Sequence, residues 1–248
     1  MSTTITVLHI QGHRPEAVED ALAAIFTREE RPRVLRIEGT YAAVLARATD
    51  PDLAAAYRYV ILRPHASSTW TPVLEVGNRA DGLDVELSGT LDGAAVFTTF
   101  VFGDIVSGYR LTRAGALVDR YASDPTYGAG DEEDEASGSP ASVAEDVDIE
   151  SERAHPERFA DLLPAGTPPE DFVRVVLAPG WWETHDTEAT GAPNAATDDE
   201  DELVDETDRM RCIGLALELW APDEYPFAQD PEDIPNTVAG PAIAVAFT

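Results

Sequence analysis

The spacing of apolar residues predicts a strand and then a helix at the start of the chain. Residues 4–10 alternate partly between apolar and polar positions and are rich in β-branched types, as in a strand. Pro15 suits a first helical turn, and the apolar residues after it recur at three- and four-residue spacings. This stripe, which predicts a buried helix face, consists of Val18, Ala21, Leu22, Ile25 and Phe26.

A turn signal follows the helix. Gly39-Thr40 separates two candidate strands, residues 33–38 and 41–47, and predicts a hairpin between them. The chain is therefore expected to open in the order β-α-β-β. The elements predicted for residues 70–121 have the same order, although the two segments share no sequence similarity.

The strongest β signal lies near the middle of the chain. It covers three segments, residues 94–102, 108–112 and 116–122. Together they predict an antiparallel meander whose last turn is Ala114-Gly115. Two strands and a short helix are expected before it, at residues 57–62, 70–76 and 83–91. The predicted class is α+β, mainly an antiparallel sheet with packed helices and up to two β-α-β-β units.

Two acidic stretches interrupt the apolar pattern. Residues 128–153 and 183–203 are rich in Asp, Glu, Gly, Ser, Thr and Pro, and contain the runs 131–135 and 198–202. Such segments bury too little apolar area to offset a backbone ordering cost of about 1–2 kcal/mol per residue, and are expected to be flexible. The predicted organisation is a sheet domain (1–127), an acidic insertion (128–153), a helical segment packed on the sheet (154–182), a second acidic insertion (183–203) and a C-terminal part (204–248).

Apolar segments beside the insertions complete the predicted elements. Residues 156–163 and 168–177 are expected to be helices, and residues 240–247 a closing strand. Residues 203–220 show helical spacing, but 212–220 also alternate, so helix and strand both remain open.

The charge is concentrated in the second half of the chain. The whole chain has a net charge of −30, with 17 arginines and no lysine. Residues 1–121 contain 15 acidic residues and 12 arginines, whereas residues 122–248 contain 32 acidic residues and 5 arginines. Binding to nucleic-acid phosphate is therefore not expected, because it depends on clustered cations. A basic protein is the expected kind of partner.

The residue types present exclude several chemistries. Without lysine there is no Walker A loop, no Schiff base to pyridoxal phosphate and no Ser-x-x-Lys acylation system. Cys212 is the single cysteine, so an internal disulfide is excluded, and it is interpreted as a buried apolar residue. The five histidines lie in no metal-binding spacing. Neither a cofactor, a metal site nor a catalytic residue is expected.

The most distinctive segment comprises residues 104–127, with Gly108-Tyr109, Gly115 and the string Leu-Val-Asp-Arg-Tyr ending at Tyr121. It resembles a hairpin that recurs in poorly characterised bacterial proteins, and this resemblance implies no activity and no catalytic residues. The residues themselves predict a hairpin with a charged solvent face whose charges pair across the strands.

A partner-binding surface is predicted on this hairpin and on a tryptophan pair next to the second insertion. Adjacent aromatic side chains at a loop edge can anchor a partner. The candidate residues are Asp104, Tyr109, Arg110, Arg113, Asp119, Arg120, Trp181 and Trp182.

Three hypotheses of function follow. The first is a non-enzymatic interaction protein, such as an immunity-type inhibitor, that binds a basic partner through its acidic C-terminal region. The second explains the acidity by solubility in a salty cytosol, as in a halophile. The third is a hydrolase with a dispersed site, formed by two or more of His65, Glu75, Asp104 and His185.

The N-terminus shows no signal-peptide pattern and no window is apolar enough to span a membrane, so a cytoplasmic protein without membrane contact is expected. The oligomeric state is not predicted.

Overall fold

The computed structural model describes residues 4–64, 68–77, 82–102, 106–122, 155–165 and 241–248, together with Arg174, Gly214 and Leu217. These residues form an eight-stranded antiparallel sheet with three α-helices, which confirms the predicted α+β class. The helices are α1 (Pro15–Arg28), α2 (Tyr41–Ala48) and α3 (Leu83–Thr90). The strands are β1 (Thr4–Gln11), β2 (Arg33–Gly39), β3 (Tyr57–Ile61), β4 (Trp70–Glu75), β5 (Ala95–Phe102), β6 (Val106–Arg113), β7 (Ala116–Ala122) and β8 (Ala242–Phe247).

The order of the strands across the sheet is β2-β8-β3-β4-β1-β5-β6-β7. The predicted closing strand, β8, therefore lies inside the sheet, between β2 and β3, and all six of its residues are buried. Its apolar sequence, Ala-Ile-Ala-Val-Ala-Phe, has no polar alternation because both of its faces are covered. Residues near the C-terminus are thus part of the same sheet as residues 4–122.

Helices α1 and α3 cover one face of the sheet. The stripe predicted on α1 is buried there, and Leu83, Leu87 and Leu91 from the α3 region pack into the same cluster. Phe26 stacks on Phe247 of β8 with ring centroids 4.5 Å apart. The helical spacing in these two segments therefore identified the helix side chains that pack into this core.

Helix α2 and residues 155–165 cover the opposite face. Val44 and Ala48 of α2 are fully buried against β8, β3 and β4. Further along the sheet, Phe159 and Leu162 pack on β5, β6 and β7. The second face therefore has two separate apolar clusters, one over each half of the sheet.

The predicted hairpin at Gly39-Thr40 is wrong. Thr40 caps the N-terminus of α2, with its Oγ1 accepting a bond from the Ala43 N–H at 3.4 Å. The apolar residues that follow have a helical spacing and form one buried face, consisting of Tyr41, Val44, Leu45 and Ala48. The chain consequently opens in the order β-α-β-α, and not as a β-α-β-β unit.

The antiparallel meander β5-β6-β7 is confirmed, as is the helix α3 before it. Ala114 and Gly115 both have positive φ, +49° and +76°, as the two central residues of a type I′ turn require. A bulge in the β6-β7 pairing places Asp119 opposite Leu111 but Leu117 opposite Thr112.

The remaining predictions are tested only in part. Residues 156–163 are not an α-helix: a 3₁₀ helix, Pro156–Phe159, is followed by turns. Most of 168–177 and 203–220 and all of the insertion 183–203 lie outside the described residues, and so does the insertion 128–153. Within the described part of the chain, no helix is long and apolar enough to cross a membrane.

Candidate functional site

The hairpin β6-β7 places its candidate side chains on opposite faces of the sheet. Tyr109 and Asp119 point to the face covered by residues 155–165, and the Tyr109 hydroxyl donates to Asp119 Oδ2 at 3.0 Å. Arg110 points to the other face, beneath α3. The predicted surface is therefore divided by the alternation of side chains along the strands.

Asp119 is the centre of a hydrogen-bonded cluster. Its side chain is 0% exposed, yet it lies on an edge strand. The 155–165 segment supplies three donors to it: His155 Nδ1 at 2.8 Å and Arg158 Nη1 at 3.1 Å to Oδ1, and the His155 backbone N–H at 3.1 Å to Oδ2. With Tyr109, four donors satisfy the two carboxylate oxygens. We call Tyr109, Asp119, His155 and Arg158 the Asp119 cluster.

Aromatic packing surrounds the Asp119 cluster. The Phe159 ring packs edge-on against the rings of Tyr109 and Phe97, with centroid distances of 5.3 Å and 5.7 Å. The ring centroids of Tyr109 and Tyr121 are 5.8 Å apart. This apolar environment makes an unpaired carboxylate costly, which is why Asp119 needs all of its donors. The cluster fixes His155 within hydrogen-bonding distance of β7.

Two arginines of the hairpin, Arg110 and Arg113, lie beside carboxylates from elsewhere in the fold. Arg110 Nε lies 3.0 Å from Oδ2 of Asp84, a buried residue of α3. Arg113 forms a bidentate pair with Asp161: Nη1 donates to Oδ2 at 2.6 Å and Nη2 to Oδ1 at 2.8 Å. Donation from Arg113 holds the pKa of Asp161 below its ordinary value. These pairs connect the hairpin to α3 on one face and to residues 155–165 on the other.

Arg110, Arg113 and Asp119 have charged partners outside the hairpin. Arg110 lies opposite Arg120, which is exposed, and the partners described above come from α3 and from residues 155–165. Asp104, Trp181 and Trp182 lie outside the described residues, and so do three members of the proposed hydrolase quartet, His65, Asp104 and His185. The fourth, Glu75, lies on β4.

Chemically, the Asp119 cluster is arranged as an anchor. Asp119 orients His155 through Nδ1, the arrangement that a catalytic carboxylate gives a general base. Here, however, Asp119 also accepts from Arg158, from Tyr109 and from the backbone of His155 itself. Among the described residues there is no group of three or more His, Cys, Asp and Glu side chains suited to a metal ion. The cluster therefore joins two chain segments, the hairpin and residues 155–165.

A second histidine, which is buried, lies on the same face. His9, on the central strand β1, donates from Nδ1 to the Phe97 carbonyl at 3.1 Å. Burial lowers the pKa of His9 to about 4, although the bond to Phe97 acts in the opposite direction. The imidazole is therefore neutral at pH 7 and serves the packing of the sheet.

Sequence reasoning missed His155, Arg158 and Asp161. The sequence signal was weak, because these residues are 36 to 48 positions from their partners and the acidic stretch lies between. The apolar residues Phe159 and Leu162 did indicate a packed segment, but no local pattern indicates which strand it meets. No family model matches the chain, and neither a curated protein nor a solved structure shows significant similarity to it.

Proposed function

We propose that this protein is a non-enzymatic interaction protein, an inhibitor of the immunity type, that binds a basic partner through its acidic stretches. The observation that carries this proposal is the placement of charge relative to the Asp119 cluster. Residues 123–154 contain 11 acidic residues and a single arginine. They connect Ala122 at the end of β7 to His155, and Asp119 binds His155 directly.

Both ends of this acidic stretch therefore start from one edge of the sheet. The association rate of oppositely charged proteins rises when charge is concentrated at one place, because the field steers the encounter. A fixed point of attachment also limits where the carboxylates can lie relative to the folded part. This arrangement supports an acidic binding element displayed at the β7 edge.

The arginines of the folded part support the same proposal. At least nine of the 17 arginines lie within 4 Å of a carboxylate outside residues 123–154, as in the pairs Arg28–Glu86, Arg33–Glu19 and Arg110–Asp84. Their charge is thus balanced by residues of the sheet and its helices. It does not offset the excess negative charge of the acidic stretch.

The experiment compares two variants that each lose four negative charges. The first changes Glu132, Glu133, Asp134 and Glu135 to their amides, and the matched control changes the exposed residues Asp20, Glu30, Asp52 and Asp92. The probe is an oligo-arginine peptide, and stopped-flow fluorescence gives its association rate at several salt concentrations. We expect the first variant to associate several-fold more slowly, with a shallower salt dependence than the control.

Equal effects of the two variants would show that only net charge matters, and would overturn the role of the acidic stretch. Binding that persists unchanged after residues 128–153 and 183–203 are both deleted would remove charge steering altogether. Far-UV circular dichroism of each variant confirms that the sheet is intact.

A further inference from the structure

The two edges of the sheet differ in how they are protected. At the β7 edge, residues 155–165 pack on the hairpin and Arg158 Nη1 donates to the Val118 carbonyl at 2.7 Å. At the β2 edge, no described element pairs with the outer side of the strand. Arg33, Val34, Arg36 and Glu38 are exposed there, Val34 to 47%. Backbone groups on an open edge form a template for another strand.

Strand β2 is well suited to pairing. It is seven residues long, contains no proline and has the sequence Arg-Val-Leu-Arg-Ile-Glu-Gly. Helix α2 contacts β8 more extensively than β2, so it lies mainly over the inner strand. The apolar side chains Leu35 and Ile37 are only partly buried by it. A strand added at this edge would cover the remainder of both.

We propose that β2 is the interface of a symmetric homodimer, in which it pairs antiparallel with β2 of a second copy. The charges on the strand select the occupant and the register. Arg36 and Glu38 are two positions apart and share a face of the strand. A two-fold axis at Ile37 places Arg36 opposite Glu38 of the partner subunit, and the same contact forms again across the axis.

Neighbouring registers are less favourable. In an antiparallel pair, directly opposite residues share a face, so a two-fold axis perpendicular to the sheet must pass through a residue position. An axis at Arg36 would place two arginines directly opposite each other, which is destabilising. The axis at Ile37 instead brings two isoleucines together, flanked by opposite charges.

The charge of Arg36 is held in place before any pairing occurs. Glu19 on α1 is buried and accepts from Arg36 Nε at 2.7 Å and from Nη2 at 3.1 Å. Glu38 lies 3.7 Å from Nη2 and is exposed. Because the guanidinium is already ordered by Glu19, less side-chain entropy is lost when a carboxylate of the partner subunit approaches it.

The first test measures the dimer directly with the full chain. Sedimentation velocity from about 1 to 100 µM, at about 0.15 M NaCl, should show a monomer–dimer equilibrium. Replacing Glu38 with arginine (E38R) creates two Arg–Arg contacts, and should weaken the dimer on the order of tenfold. The matched control is D92R, which makes the same charge change at an exposed residue between α3 and β5. It should leave the dimer no weaker.

The second test locates the interface by cross-linking with a short bis-maleimide, in a Cys212→Ala background. Directly opposite Cβ atoms are about 4.5–5.5 Å apart, so I37C should cross-link to itself. V34C is the matched control: its two copies would be six positions apart along the strands, roughly 20 Å. A monomer at every concentration, a dimer unaffected by E38R, or equal cross-linking of I37C and V34C would each overturn the proposal.

Discussion

Gly77 follows β4 and has a φ of +96°, in the left-handed region that favours glycine. A Cβ built there would overlap Nη2 of Arg58, whose side chain is buried and donates from Nη1 to the Ala48 carbonyl at 2.9 Å. Arg58 thereby binds the C-terminal end of α2, where a cation is favourable. The backbone at Gly77 and the end of α2 are therefore connected through one guanidinium.

Gly77→Ala should lower the free energy of unfolding by about 2–3 kcal/mol, from backbone strain and displacement of Arg58. The matched control is Gly12→Ala, because Gly12 has a φ of +75° but open space around its Cβ position. That control should cost only the strain, about 1 kcal/mol. Urea unfolding of both variants measures the difference, and equal losses would contradict the contact with Arg58.

His9 should make stability depend on pH. The pKa of His9 is lowered to about 4 in the fold, against an ordinary value of 6.5. Between these values the unfolded chain binds more protons, so stability is complete above about pH 6.5 and falls as the pH drops toward 4. The loss attributable to His9 should reach about 3 kcal/mol.

The comparison for this prediction is His9→Gln, which has no titrating ring, while the carboxylates common to both proteins cancel. Urea unfolding at about pH 7, 5.5 and 4.5 gives the free energy of unfolding of both proteins. As the pH falls, the free energy of the natural protein should decrease more than that of the variant. A difference that stays constant across this range would contradict a neutral buried imidazole.

At the scale of elements, Asp119 holds residues 155–165 against the hairpin. Asp119→Asn removes a buried charge and turns one acceptor into a donor that faces other donors. It should lower the free energy of unfolding by about 2–4 kcal/mol and speed hydrogen exchange at the His155 amide, which donates to Asp119.

The matched control for Asp119→Asn is Asp161→Asn. Asp161 pairs with Arg113, and the Asp161 side chain is 66% exposed. Exposed pairs contribute little, so this variant should lose less than about 1 kcal/mol. Similar losses for the two variants would show that the Asp119 cluster is not the main anchor of the segment.

The stability of helix α2 depends on its N-cap residue, Thr40. Thr40→Ala removes the side-chain acceptor for the Ala43 N–H and should cost about 0.5–1 kcal/mol. Thr40→Ser keeps an acceptor at the same place and should retain most of the stability. Thermal unfolding followed by circular dichroism distinguishes the two, and equal midpoints would mean that the cap does not contribute.

For the whole molecule, the net charge of −30 gives a prediction that separates partner binding from adaptation to salt. Residues 1–121 are nearly balanced in charge, and at least nine arginines lie within 4 Å of a carboxylate. The protein should therefore remain folded at about 0.05 M NaCl. Its unfolding midpoint should rise only modestly toward about 1 M. Unfolding at low salt would instead favour the halophile hypothesis, since self-repulsion would then dominate stability.

Local patterns predicted most of the described elements, but not all of them. The stripe on α1, the meander and β8 were each readable because apolar spacing reports the face that a segment buries. The same spacing was present in residues 41–48, yet the Gly39-Thr40 turn signal led to a hairpin. Thr40 acts as a helix cap there, and a turn residue alone does not distinguish these two roles.

The candidate site was predictable only in its β6-β7 half. Tyr109 and Asp119 stand out in the sequence, whereas His155 and Arg158 become their partners only after the chain returns across the acidic stretch. Which face each arginine takes depends on the register and on the bulge within β7. Neither can be obtained from the hairpin sequence by itself.

The sequence alone determined the α+β class, the absence of lysine chemistry and the asymmetry of charge, because these depend on composition and on spacings within single segments. Tertiary structure alone decided that β8 lies between β2 and β3 and that Asp119 binds His155. It also decided that, among the described residues, the β7 edge is covered by residues 155–165 while no element pairs with the outer side of β2. Such features depend on which distant segments meet, and the energy that selects those meetings is gained only when the whole sheet is assembled.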